Sequence, residues 1–152
     1  MELNDIDRAL VDALLEDGRA SIEDLAADVG VATETVERRI EGLEDAGVLT
    51  GYAATIDDDE LGYDVTAVIR VRTGGATQGI REALGEYPWV RSAYEVTGED
   101  DFLLVGRFRD TDDMHQHVAE LLTEATVRSV TADVVVDTIR ACEPLSPRKP
   151  AE

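Results

Sequence analysis

A chain of 152 residues with 43% hydrophobic content can fold as one domain or two small ones, each with a modest core, and is not disordered throughout. No apolar run reaches the length of a membrane span, and the N-terminal MELNDIDRAL lacks a basic-then-apolar signal pattern, so the expected location is the cytoplasm. A single cysteine, Cys142, excludes an internal disulfide framework and a CxxC metal site, and 34 acidic residues against 14 basic ones leave a net charge of −20.

The first helix is expected to start at Asn4, an N-cap residue with Asp7 three positions on; Ile6, Leu10 and Leu14 form its apolar face and Gly18 ends it. Ser21, with Asp24 at the third helical position, opens a second helix as a capping box. Leu25 and Ala26 are then followed by Gly30 in a tight turn. A third helix places Val36, Ile40 and Leu43 at i, i+4 and i+7, one face of a 3.6-residue period, and Gly47 follows its end. This is the spacing of a helix-turn-helix, and residues 1–50 are expected to form a winged-helix-like trihelical domain that binds double-stranded DNA. Thr33, Thr35, Arg38 and Arg39 are its candidate contacts, since arginine suits bidentate bonds to guanine or phosphate.

The charge opposes that reading. Residues 1–50 hold 14 acids and four bases (Arg8, Arg19, Arg38, Arg39), a net −10, where a DNA-binding domain ordinarily carries a basic footprint.

Beyond residue 50 the period changes from 3.6 to 2. Residues 51–64 are expected to form a linker, with a strand at Tyr52–Ile56 and a solvated acidic turn at Asp57–Glu60. Residues 65–140 then read as strand Val65–Thr73, helix Thr77–Glu86 stopped before Pro88, strands Val90–Thr97 and Phe102–Phe108 around the loop Gly98–Asp101, helix Thr111–Thr123 capped by Thr111, and strand Val127–Ile139. The order β-α-β-β-α-β is the ferredoxin-like arrangement, so the fold class is α+β. Both helices on one sheet face leave the other uncovered, and the apolar alternation Val134, Val135, Val136, Ile139 suggests that a second copy covers it in an isologous homodimer. Residues 141–152, with Pro144, Pro147 and Pro150, are expected to be a disordered tail.

Both halves together resemble the leucine-responsive/asparagine-synthesis (Lrp/AsnC, feast/famine) regulator family over about residues 3–140. The carriers are Leu3-Asn4-Asp5-Ile6-Asp7, Asp17-Gly18-Arg19-Ala20-Ser21, Leu25-Ala26, Val29-Gly30, Val36–Leu43, Ala46–Tyr52 and Thr97–Leu104. The resemblance implies a transcription factor whose C-terminal domain senses a small effector, usually an amino acid, and whose dimers assemble further into tetramers or octamers. It places the effector at Gly98, Glu99, Asp100 and Asp101 together with Ser129 and Thr131, with no catalytic residue, metal or cofactor. Three positions depart from the family pattern. Ala32 stands where a serine caps the recognition helix, leaving Thr33 as the alternative cap; Asp100 replaces an aromatic residue; and Val130-Thr131-Ala132 replaces a Thr-x-Thr.

Two other functions share these features. Haem-pathway decarboxylases use the same two-domain plan, but would be expected to carry a histidine in the Gly98–Asp101 hairpin, whereas His115 and His117 lie two apart on the last helix, one facing solvent and one at its edge. A cation-sensing regulator could use Glu99, Asp100 and Asp101, since carboxylates suit hard cations. The acidic excess itself, with 13 of the 14 basic residues Arg and only Lys149 a lysine, resembles the composition of salt-in halophiles, haloarchaea in particular. Concentrated salt would screen the self-repulsion, the Debye length falling to about 3 Å at 1 M.

Overall fold

The computed structural model describes residues 2–141 and 145–147. Two compact units emerge: residues up to Thr55 with the described residues beyond Ile139, and Ile56–Ile139.

The first unit is built from α1 (Asp5–Glu16), α2 (Ile22–Val29) and α3 (Thr33–Asp45). Asn4 and Asp7 form the expected reciprocal cap, the Asn4 side chain accepting from Asp7 N at 2.9 Å and the Asp7 carboxylate from Asn4 N at 3.1 Å. Ser21 Oγ accepts from Asp24 N at 3.1 Å, but its hydroxyl donates to the Asp24 carboxylate, so only half of a capping box is made. Gly30 and Gly47 take positive φ at the ends of α2 and α3, a conformation glycine adopts without steric cost. Leu10, Leu14, Leu25, Ala26 and Val36 form the core, with Ile6, Ile40 and Leu49 packed around it.

The second unit is a four-stranded antiparallel sheet of order β2-β3-β1-β4, made of β1 (Val65–Thr73), β2 (Val90–Glu95), β3 (Phe102–Phe108) and β4 (Val127–Val134). Helices α4 (Gln78–Glu86) and α5 (Thr111–Leu121) cover one face. That face carries Ala67, Ile69, Val71, Phe102, Leu104 and Phe108, which pack on Ile80, Leu84, Met114 and Leu121. This is the ferredoxin-like order expected from the sequence. On the other face, half-buried Val68, Leu103 and Val105 alternate with these residues, and Arg70 pairs with Asp133 across β1 and β4.

Several elements differ from expectation, each for a backbone or side-chain reason. Tyr52–Ile56 is not a strand, because no backbone ladder partner reaches it among the described residues; Tyr52 instead donates its hydroxyl to Glu44 at 2.9 Å. β4 stops at Val134 rather than Ile139, since its neighbour β1 begins at Val65 and the last bond, Val135 N to Thr66 O, leaves nothing further to pair with. Val136 and Ile139 are therefore almost fully exposed and contribute to neither sheet face. Asp110, not Thr111, caps α5, accepting from Asp113 N at 2.8 Å. The acidic turn is not simply solvated: Arg107 binds Asp58 at 3.2 Å and Asp59 at 2.9 Å, and also reaches Thr66 Oγ1, so the turn is clamped to the sheet. The expectation of a disordered tail falls mostly on residues 142–144 and 148–152, outside those described. Within 145–147, Ser146 donates to Asp12 at 2.7 Å and the Pro147 carbonyl accepts from Arg8 at 2.6 Å.

The candidate DNA-contact helix and effector loop

Helix α3 turns Val36 and Leu43 fully inward. Arg38 lies opposite them on the 3.6-residue wheel and is exposed. Its outward stripe is not basic, because Glu34, Glu41 and Asp45, all exposed, flank it at i−4, i+3 and i+7. Thr33 and Thr35 are half-buried on the first turn. Ala32 provides no side-chain cap, and Thr33 does not substitute, its hydroxyl reaching only Glu34 at 3.5 Å. Arg39 turns sideways: its NH1 lies 3.6 Å from Oδ1 of Asp7, whose side chain is 1% exposed against 36% for Arg39. Thus of the four candidate contacts, Arg38 is the one charged group aimed away from the core.

In the second unit, the loop Gly98–Asp101 joins β2 to β3, and Gly98 at φ 131° supplies a turn that other residues rarely adopt. Asp101 anchors it. Its Oδ2 accepts from the backbone N of Thr73 at 2.6 Å and from the Thr73 hydroxyl at 2.9 Å, while Asp101 N donates to Val71 O at 2.9 Å. Donation from the Thr73 backbone, then from its hydroxyl, holds the Asp101 carboxyl below the ordinary aspartate value of 3.8. Arg72 lies 3.6 Å from both Glu99 and Asp100. Ser129 is the cross-strand partner of Arg72, and Thr131 that of Arg70. The loop and the start of β4 therefore converge on the end of β1 through Arg72 and Thr73, neither of which is among the residues implied by the resemblance. Beside them the Arg128 guanidinium lies over Gly74, in space that a Cβ would fill.

Among the described residues, no group of three or more His, Cys, Asp or Glu side chains is placed to hold a metal ion. Glu99, Asp100 and Asp101 are each engaged within the protein. His117 stacks on Trp89 with ring centroids 5.7 Å apart, between Asp113 and Glu120; His115 is exposed. Among the described residues no helix is long and apolar enough to cross a membrane.

Residues 3–44 match the AsnC-type helix-turn-helix domain, and residues 66–145 match the Lrp/AsnC ligand binding domain. The chain belongs to the Lrp/AsnC family. It is a DNA-binding transcriptional regulator with a separate ligand-binding domain. It is 33% identical to an HTH-type transcriptional regulator of Pyrococcus horikoshii over 92% of this chain and 95% of the relative. It is 34% identical to the leucine-responsive regulatory protein of Rhizobium meliloti over 92% of this chain and 87% of that protein. Among solved structures, a transcriptional regulator of Neisseria meningitidis in complex with L-Met superposes with TM-score 0.91 at 28% identity, covering 95% of this chain and 96% of that one. The AsnC protein of E. coli superposes with TM-score 0.85 at 27% identity, covering 95% and 100%. These relatives carry names of regulators, not of enzymes.

Asp7 is a functional candidate beyond its role as a helix cap. A signal was available: Asp7 continues the Leu10, Leu14 stripe at i−3 and i−7, so a carboxylate there has to be buried. Arg72 left no comparable trace, because its partners come from a loop nearly thirty residues away.

Proposed function

We propose that Lrp/AsnC-type regulation in this chain works through α3 in the DNA major groove and an α-amino acid at the loop Gly98–Asp101. Arg38 is the principal contact to base or phosphate, with Thr33 and Thr35 on the adjoining turn. The observation that carries this is the outward position of Arg38 on the third helix of a matched AsnC-type domain. The effector site joins Gly98, Glu99, Asp100 and Asp101 to Ser129 and Thr131 around Arg72. The L-Met complex of the Neisseria regulator supports an amino acid as its occupant. The open sheet face, with Val68, Leu103 and Val105, pairs with a second copy in a homodimer that can assemble further. The chain acts in the cytoplasm of a salt-in halophile as a regulator and not as an enzyme; the net charge of −20 supports the halophilic setting.

The test uses DNA selected by the wild-type protein from a random pool. Arg38→Ala should weaken binding by about 1–3 kcal/mol and relax preference at one position if Arg38 reads a base. Unchanged affinity and preference would rule out α3 as the reading element.

A further inference from the structure

Asp7 is the buried charged residue of the described chain, and it sits on α1, away from the outward face of α3. Its two carboxylate oxygens have different tasks. Oδ2 closes the cap by accepting from Asn4 N, whereas Oδ1 has no hydrogen-bond partner and faces Arg39 NH1 at 3.6 Å. Arg39 Nε is likewise buried without a hydrogen bond. A carboxylate as buried as that of Asp7 is costly without an opposite charge beside it, so each member holds the other in place. The pair joins the first turn of α1 to the middle of α3, one residue from Arg38.

We infer that the Asp7–Arg39 pair sets the rotation of α3, making Arg39 a positioning residue for the DNA-reading face and not itself a contact. The inference rests on the proposed docking of α3. Glu34 and Glu41 lie only about 40–60° from Arg38 on one side of the helix wheel, so a turn of that size towards them would replace Arg38 on the outward stripe with a carboxylate, and the helix has little tolerance for rotation in that direction. Arg39 resists that rotation because leaving Asp7 would strand a buried carboxylate.

The experiment measures affinity for the selected DNA, its KCl dependence and urea stability for Arg38→Ala, Arg39→Gln, Asp7→Asn and the double variant Asp7→Asn/Arg39→Gln. Asp7 cannot touch DNA, and its neutralisation makes the domain less negative, which by long-range electrostatics would tighten binding. Positioning predicts the opposite sign: Asp7→Asn, on folded protein, weakens binding roughly tenfold, as Arg39→Gln does, and the double variant loses no more than either single change. The salt slope should stay at the wild-type value in both and change by about one in Arg38→Ala if that residue contacts phosphate. Tighter or unchanged binding by Asp7→Asn, with a slope change of about one in Arg39→Gln, would make Arg39 a direct contact and overturn the inference. Lower stability with unchanged affinity of the folded protein would overturn it too, leaving the pair purely structural. Should either single variant fail to fold, the double variant Asp7→Asn/Arg39→Gln decides by its slope, since it leaves no buried carboxylate without a partner: an unchanged slope supports positioning, and a change of about one makes Arg39 a direct contact. If Arg38→Ala has no effect, the docking reading fails, whatever the pair does.

Discussion

Asp101 binds Thr73 twice, through the backbone N–H and through the hydroxyl, and so ties the β2–β3 loop to the end of β1. The carboxylate, not the carboxylic acid, is the form that accepts both bonds. Its folded pKa is therefore depressed below 3.8, and the stabilisation is present above that value and lost as pH falls through the lower folded one. The expected result is that Asp101→Asn is less stable than wild type at about pH 7 and that the difference narrows as pH falls below 3.8 and the Asp101 carboxylate takes up its proton. Urea midpoints across that range measure it. A difference that persists in acid would mean that shape, and not charge, makes the latch.

Gly106 lies in the middle of β3 under two aromatic rings. A Cβ there would come 2.7 Å from Phe108 and 3.0 Å from Trp89, both in the core. Trp89 is itself wedged between Tyr87 and Phe108 at centroid distances of 5.4 and 5.3 Å, so neither ring can retreat easily. Gly106→Ala should cost about 1–3 kcal/mol, the usual effect of overpacking. Thermal unfolding should show a lower midpoint, whereas Gly79→Ala, where a Cβ meets nothing within 4 Å, should not be destabilised.

The proposed effector site at the loop Gly98–Asp101 makes a calorimetric prediction. With the carboxylate of Asp101 already occupied by Thr73, an amino acid would find its binding groups at Arg72, Ser129 and the loop backbone. Titration with L-methionine and L-leucine should give saturable heat for wild type and a dissociation constant raised about tenfold or more in Arg72→Ala, since a charged hydrogen bond is commonly worth about 1.5–3 kcal/mol. Equal affinity in the variant would move the site elsewhere. Heat on adding divalent ions instead would favour the cation-sensing alternative.

Salt dependence tests how so acidic a domain approaches DNA. Ordinary DNA-binding proteins lose affinity steeply with salt, with slope about −0.9 per phosphate contacted. Here Glu34, Glu41 and Asp45 lie beside Arg38 on α3, so repulsion from the duplex must be screened before the proposed contact can form. Affinity should fall weakly, or rise, with KCl in the molar range, and fold stability should rise over the same range as self-repulsion is relieved. Binding isotherms at several KCl concentrations, with circular dichroism checking the fold at each, measure both. A steep loss on folded protein would show a basic surface elsewhere on the assembly.

Local signals determined the three helices of the first unit and the β-α-β-β-α-β order of the second, because apolar spacing, the caps Asn4 and Ser21 and the glycines at 30 and 47 act within a few residues of chain. Val65–Thr73 and Phe102–Phe108 were legible to the residue, since both have a fully buried face and end at loop or turn residues. Where an element ends depended instead on its neighbours. Val127–Ile139 is a continuous β-prone run, yet the strand stops at Val134 because β1 begins at Val65, and Tyr52–Ile56 has strand composition with no ladder partner among the described residues. Charges behaved in the same way. Composition determined that the chain is acidic and poor in lysine, but not that Arg107 would clamp Asp58 and Asp59, or that Arg72 would gather Glu99 and Asp100. Those pairs join residues from well-separated stretches of chain, and only sheet register brings them within reach. The same holds for Arg38 and Arg39, identical and adjacent in sequence: a rotation of 100° per residue sends one to solvent and the other to a buried carboxylate on another helix.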